Sequence, residues 1–204
     1  MNTGRIGAAS GILSPIAVVV GFAIHGPFPA EGDSVHKIAH YYSAHAGSAR
    51  IWAGGYVEFL GYLLFLPFAA WLWARLRRAE GEGGWLAATW FGGALVFLAM
   101  AIAAGTPFAA ALHRGRELDP HSVTALTAAG DWLYFLSWTP GAVSLAAAAA
   151  VALQTNVLPR WLGWAGALVA LALLVAVPFR LAGIDILILL WGAAAAVVLL
   201  RRPA

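Results

Sequence analysis

Three carboxylates fall where a carboxylate is expensive: Glu58, Asp131 and Asp185 each lie inside, or at the mouth of, an apolar stretch. The stretch holding Glu58 runs from Ile51 to Trp73 and is long enough to cross a bilayer. At about 1.5 Å per helical residue, Glu58 sits roughly 10 Å inside its first end. A charge at that depth costs on the order of 3 kcal/mol unless it is protonated, paired or facing a wet cavity. A protonated carboxylic acid there could serve as a general acid or as a hydrogen-bond donor. Equally, it could satisfy a carbonyl, or a Tyr, Ser or Trp, on a neighbouring helix. No lysine or arginine lies at its level, so the sequence points to a neutral, cavity-facing acid and not to a buried ion pair.

On a helix, positions 51, 54, 55, 58, 61, 62 and 65 share one face, which reads Ile, Gly, Gly, Glu, Gly, Tyr, Phe. Small residues on such a face let a neighbouring helix or a ligand approach the backbone closely. Tyr62, one turn from Glu58, adds a hydroxyl and an aromatic face. Asp131, in Gly130-Asp-Trp-Leu-Tyr134, opens the lipid-immersed part of a later helix and could face Glu58 across the bundle. Two converging carboxylates would hold a proton between them; the alternative is an interfacial residue held by water. Arg180 and Asp185 flank the last apolar hairpin, where they snorkel or pair with each other, or else line the same site.

Other chemistry-bearing residues give weaker signals. His36 and His40 have the i, i+4 spacing that brings two imidazoles to one ion, but His45 leaves that face, and no metal site is assigned. His25 closes the first span, where an interfacial histidine needs no special account. Of the ten tryptophans, Trp52, Trp71, Trp73, Trp85, Trp132, Trp161 and Trp191 fall near span ends, the depth at which indoles anchor. Trp90 and Trp138 are deeper, and with Tyr62, Tyr134 and Phe135 they either line an aromatic cavity or pack as core. Such a cavity would suit a flat lipophilic ligand, or a carbocation through its π faces. No phosphate-binding glycine loop, nucleophile elbow or DxxxD-type diphosphate pair occurs, and no cofactor is implied.

The elements that must position these groups are helices in lipid. Apolar residues make up 62% of the chain and charged residues 10%, against about 25% charged in soluble domains, which places it in the membrane class. Six stretches read as spans, near 7–25, 50–74, 84–106, 132–154, 159–179 and 183–200. The expected fold is all-α, a single six-helix transmembrane bundle over 1–204. The first span lacks a small-x-small cleavage site and reads as a retained helix. Pro178 and Gly183, with Arg180 and Asp185, turn the fifth span into the sixth. Loops 26–49 and 107–131 are the longest. Within the first, 34–45 reads as a short interfacial helix with Ser34 as N-cap. In the second, Asp119-Pro120 is a good N-cap and N1 pair from which the fourth span's helix could already begin.

Arg5, Arg75, Arg77, Arg78, Arg160, Arg201 and Arg202 lie on the side of the termini. Lys37, Arg50, Arg114, Arg116 and Arg180 lie on the other, diluted by acids. The positive-inside rule then puts both termini in the cytoplasm. A formal charge of +3 scattered over short loops offers no face to nucleic acid. The absence of cysteine excludes disulfides, thiolate catalysis and Cys-ligated metal.

The pieces Tyr41-Tyr-Ser-Ala-His45, Leu76-Arg-Arg-Ala-Glu-Gly81, Gly130-Asp-Trp-Leu-Tyr134 and Leu158-Pro-Arg-Trp-Leu-Gly-Trp-Ala-Gly166 resemble those of a large, functionally uncharacterised group of small six-span proteins from high-GC bacteria. That resemblance covers nearly the whole chain and implies the span count and the bacterial inner membrane, but no activity. In layout the chain is also similar to compact integral-membrane terpene cyclases, whose carboxylates on two helices protonate an epoxide or alkene within an aromatic cavity. That likeness would make Glu58, with Asp131 or Asp185, an acid pair. Three functional readings follow. One is a binder of a lipophilic small molecule or lipid at Glu58. The second is an acid-catalysed cyclase or isomerase of isoprenoid-like substrates. The third is an accessory subunit docked on a membrane-protein partner.

Overall fold

The computed structural model describes residues 3–181 and 183–201, and these form seven helices: α1 (Thr3–His25), α2 (Val35–His45), α3 (Ala49–Glu80), α4 (Trp85–Arg114), α5 (Pro120–Thr155), α6 (Arg160–Phe179) and α7 (Ile186–Arg201). Arg202, one of the basic residues counted above, lies outside the described residues. Helices α1, α3, α4, α5 and α6 are each long and apolar enough to cross a membrane, whereas α7 has 16 residues. The chain is thus a helical, multi-pass membrane protein. Its exterior agrees: Leu13, Ile16, Val19 and Phe22 of α1 and Leu168 and Leu171 of α6 are all exposed. So large an apolar surface would aggregate in water and is at home in lipid.

In chain order the long helices pack α1 on α3, α3 on α4, α4 on α5, α5 on α6 and α6 on α7, and α7 returns to α1. The tightest seam is α1–α3, and glycine makes it. A Cβ at Gly21 would stand 2.5 Å from the Glu58 backbone nitrogen, and one at Gly54 2.6 Å from that of His25. Gly61 faces Val18, and Gly11 and Gly7 receive Phe68 and Trp71 of α3. Ser14 adds a hydrogen bond, its hydroxyl donating to the Gly61 carbonyl at 2.8 Å. The small-residue face of α3 therefore admits a helix, not a ligand, along most of its length. Gly55, placed on that face by spacing alone, is exposed with nothing around it.

Helix α2 does not cross the bundle but covers one end of it, packing on α5 and α4. Ser34 caps it, accepting from the Lys37 N–H at 3.3 Å. Asp119 caps α5 through the N–H groups of His121 and Ser122. The expected loop 107–131 shrinks to residues 115–119, because α4 runs on to Arg114 and α5 starts at Pro120. The reason is a second small core beyond the main one. Ile38 and Tyr42 of α2 bury against Ala111 and Leu112 of α4 and Val123 of α5, with Phe28 and Phe108 alongside. The α6–α7 hairpin forms as expected, with Arg180 (φ 50°) ending α6 in the left-handed region and Gly183 at φ 86°.

The other half of the bundle is closed by rings. Trp90 is fully buried among Phe65, Phe68 and Trp191, and its indole N–H reaches the Ala69 carbonyl at 3.4 Å. Trp191 is buried too and donates to the Leu162 carbonyl at 2.9 Å, so it is a core residue and not a headgroup anchor. Trp52, Trp85, Trp132 and Trp161 are exposed, as anchors should be.

Two adjacent glycines test the seam. Gly54→Ala should lower the thermal midpoint in detergent by the equivalent of about 1–3 kcal/mol of overpacking. Gly55→Ala, with open space around it, should leave the midpoint unchanged or raise it through helix propensity. The α2 cap has its own probe in Tyr42. Its hydroxyl is buried beside Thr127 without a well-formed hydrogen bond, while Thr127 donates to the Val123 carbonyl. Burial pushes this phenol up to about 12. The folded state then holds a proton that the unfolded chain releases near 10, so docking of α2 weakens as pH rises from about 10 to about 12. Hydrogen exchange of α2 amides should accelerate across that window, and Tyr42→Phe should abolish the acceleration and slow exchange at neutral pH.

Candidate functional site

Glu58 meets its partner across the glycine seam. Gly21 and Gly54 bring the α1 and α3 backbones together, which sets the His25 side chain, at the last residue of α1, level with Glu58. His25 Nε2 lies 2.8 Å from Glu58 Oε2, with the imidazole nearly enclosed and the carboxylate about a quarter exposed. The other ring nitrogen, Nδ1, bonds the Gly26 carbonyl, which can only accept, so Nδ1 carries a hydrogen. The Nε2 contact with a carboxylate oxygen then requires one more proton between the two groups. Whether that proton rests on nitrogen or on oxygen, the pair is neutral overall. A buried, neutral, proton-sharing pair replaces the solitary acid expected from the sequence.

His25 is held in place by rings and by the chain that follows it. Phe22 packs edge-on at 5.4 Å and Phe28 lies over the imidazole at 5.0 Å, itself stacked on Phe108 at 5.3 Å. Arg50 of α3 donates to the Ile24 carbonyl at 2.6 Å and closes the end of α1. Residues 26–34 then run as a strap across the end of the bundle. The Glu31 N–H donates to Asp131 Oδ2 at 2.9 Å, and the Glu31 carboxylate pairs with Arg180 at 2.6 Å. The Arg180 guanidinium lies 4.0 Å from the centre of the Trp132 ring. Asp33, farther along the strap, is held below the usual carboxylate range by Lys37, 2.6 Å away.

These contacts correct two expected pairings. Asp131 is bound to the strap and not to Glu58, because on α5 it lies a turn nearer the covered end than Tyr134. Arg180 pairs with Glu31 and not with Asp185, because the left-handed turn that ends α6 directs it toward the strap.

Asp185 goes inward instead. It is 5% exposed, at the head of α7, within electrostatic reach of Glu58 and of the Tyr62 and Tyr134 hydroxyls, Tyr134 being the nearer. No lysine or arginine pairs with it among the described residues. Tyr134 belongs to a ring cluster on α5, with Phe135 and Trp138 in mutual contact at 5.0–5.7 Å, and Tyr62 lies edge-on to Phe97 at 6.5 Å. The Trp138 indole N–H is buried without an acceptor. Of the aromatic residues singled out from sequence, Tyr62, Tyr134, Phe135 and Trp138 gather here, while Trp90 belongs to the packed rings of the other half. The stacked His36 and His40 rings stay on the surface of α2. No group of three or more metal-ligating side chains occurs among the described residues.

The residue sequence reasoning missed is His25. The usable signal was depth: α3 starts at Ala49, so Glu58 is two and a half turns into its helix, level with the end of α1. No family model, curated protein or solved structure matches the chain.

A double-mutant cycle tests the pair. His25→Phe and Glu58→Leu should each lower stability by about 1–3 kcal/mol, since each strands a polar partner. The double variant should recover much of the loss, because removing both polar groups leaves nothing unpaired. Strict additivity in thermal unfolding would show that the two side chains do not depend on each other.

Proposed function

We propose that the protein is a six-span protein of the bacterial cytoplasmic membrane, with both termini cytoplasmic, that binds a lipophilic small molecule within the membrane between Glu58 and Asp185. The observation that carries this reading is Asp185. A carboxylate enclosed by helices in lipid is costly, and a well-packed apolar residue would serve stability better. Glu58 has His25 to balance it, whereas Asp185 has the Tyr134 phenol and the N–H groups at the head of α7, and no lysine or arginine among the described residues. The rings of Tyr62, Tyr134 and Trp138 supply apolar walls with a few polar points, the usual make-up of a small-molecule site. The strap, tied at Asp131 and Arg180, covers the same end.

Binding is favoured over passage by what the rest of the bundle lacks. No Asp, Glu, His, Lys or Arg occurs in 6–24, 59–74, 85–112, 132–159, 161–179 or 186–200. Between the loops of the two ends, acidic, basic and histidine side chains thus lie only toward the α2 end, and the other half of the spans offers no relay for protons or ions. The span count includes α7, whose 16 residues are apolar up to Arg201 and follow a tight hairpin.

One observation favours a second reading, acid-catalysed cyclisation or isomerisation of an isoprenoid-like substrate. Asp185 and Glu58 approach each other from different helices beside aromatic rings that can steady positive charge. In that reading Asp185 is the acid and not Glu58, because the Glu58 proton is shared with His25.

Mass spectrometry of organic extracts from the purified protein separates the outcomes. A lipophile should be retained by the wild type and reduced about tenfold or more in Asp185→Asn at unchanged elution volume, the tenfold being about 1.4 kcal/mol of binding. An enzyme would instead retain its ligand in Asp185→Asn and lose turnover. Extracts of the wild type holding nothing beyond bulk phospholipid would remove the binding reading.

A further inference from the structure

We infer that the end of the bundle opposite α2 is a docking surface for anionic phospholipid, with Arg75 and Arg77 of α3 as its fixed phosphate ligands. The inference is independent of what Asp185 does, and its first support is how each end treats its cations. At the α2 end the protein engages every one. Asp33 takes Lys37, the Ile24 carbonyl Arg50, Glu117 Arg114, the Ser43 carbonyl Arg116 and Glu31 Arg180. The opposite end carries Arg5, Arg75, Arg77, Arg78, Arg160 and Arg201. None of these six donates a hydrogen bond or forms an ion pair among the described residues. Glu80, the nearest acid in sequence, is already occupied: its two oxygens accept from the Leu86 and Ala87 N–H groups and cap α4. One end of the molecule is thus balanced within itself, and the other presents arginines with nothing to hold.

The second support is that two of these arginines are held in place. The Arg75 guanidinium lies 5.0 Å from the centre of the Trp71 ring, and that of Arg77 lies 5.7 Å from Trp73. Trp71 is seated against Gly7 of α1, and Trp73 stacks on Phe91 of α4 at 5.3 Å, so neighbouring helices fix both platforms. A guanidinium resting on an indole keeps its edge of N–H donors free, and that planar fork matches two phosphate oxygens. Depth decides the occupant. Trp85 and Trp161, in the first turns of α4 and α6, are exposed at the same end, and indoles settle at the headgroup level of a bilayer. Arginines at that level meet lipid phosphates, and anionic headgroups offer them an uncompensated charge.

Phosphatidylglycerol and phosphatidylcholine with identical acyl chains differ in net charge and read this property directly. Each is titrated into the full-length protein in non-ionic detergent, and bound lipid is counted by native mass spectrometry. The wild type should bind phosphatidylglycerol about tenfold more tightly or better, as two or more arginines beside an anionic headgroup imply. Arg75→Gln with Arg77→Gln should remove most of that preference. Arg114→Gln with Arg116→Gln takes the same charge from the α2 end and should leave the preference intact. Equal binding of the two lipids by the wild type overturns the inference, and that comparison stands even where a variant fails to fold. A preference that survives in the Arg75 and Arg77 variant also overturns it. So does an equal loss in both double variants, which would show a response to net charge and not to the tryptophan-held pair.

Discussion

An imidazole and a carboxylate 2.8 Å apart, with a single proton between them, carry no net charge, and that neutrality lets Glu58 lie at the depth it does. The arrangement demands an exact distance between α1 and α3. Only bare backbone at Gly21 and Gly54 permits it, since a methyl group at either position would strike the facing chain. The pair in turn settles what the neighbouring groups must do. With Glu58 satisfied toward α1, Asp185 is left to the Tyr134 hydroxyl and the N–H groups at the head of α7. The seam, the proton and the site are one construction.

Polarity is divided unevenly along the bundle. At the α2 end, Glu31 ties the strap to α5 through its N–H on Asp131 and to the α6–α7 hairpin through its carboxylate on Arg180. Each of those contacts is at least partly exposed, so each contributes modestly and is screened by salt. They hold the strap in register and leave it able to separate. The other half of the bundle, plugged by Phe65, Phe68, Trp90 and Trp191, has no such adjustable parts.

Local signals in the chain were legible because the physics behind them is local. Ser34 and Asp119 are caps for the N–H groups two or three residues on, and their geometry needs nothing from the rest of the fold. The six apolar stretches and the turn at Arg180–Asp185 are likewise properties of short segments. The extent of α4 and α5 was harder to read. A bilayer-length span ends near residue 106, yet the helices continue through Ala111, Leu112 and Val123, which α2 folds back to bury. Trp191 misled for a related reason: nearness to a span end suggests an interfacial indole, but α7 starts deep enough to carry it into the core.

Composition and spacing by themselves determined that this chain is helical and membrane-spanning, that Glu58 lies on a glycine-rich face, and that Asp185 and the α5 rings are unusual where they stand. These follow from transfer energies and from the 3.6-residue period, which act on each segment separately. Only the tertiary structure decided who meets whom. Which way a helix is rotated, and how far it slides along its neighbour, depends on steric contacts between segments far apart in sequence. A slide of one turn would exchange His25 for another partner at Glu58. For that reason Glu58 found His25, Asp131 found the strap, and Asp185 was turned inward, away from Arg180.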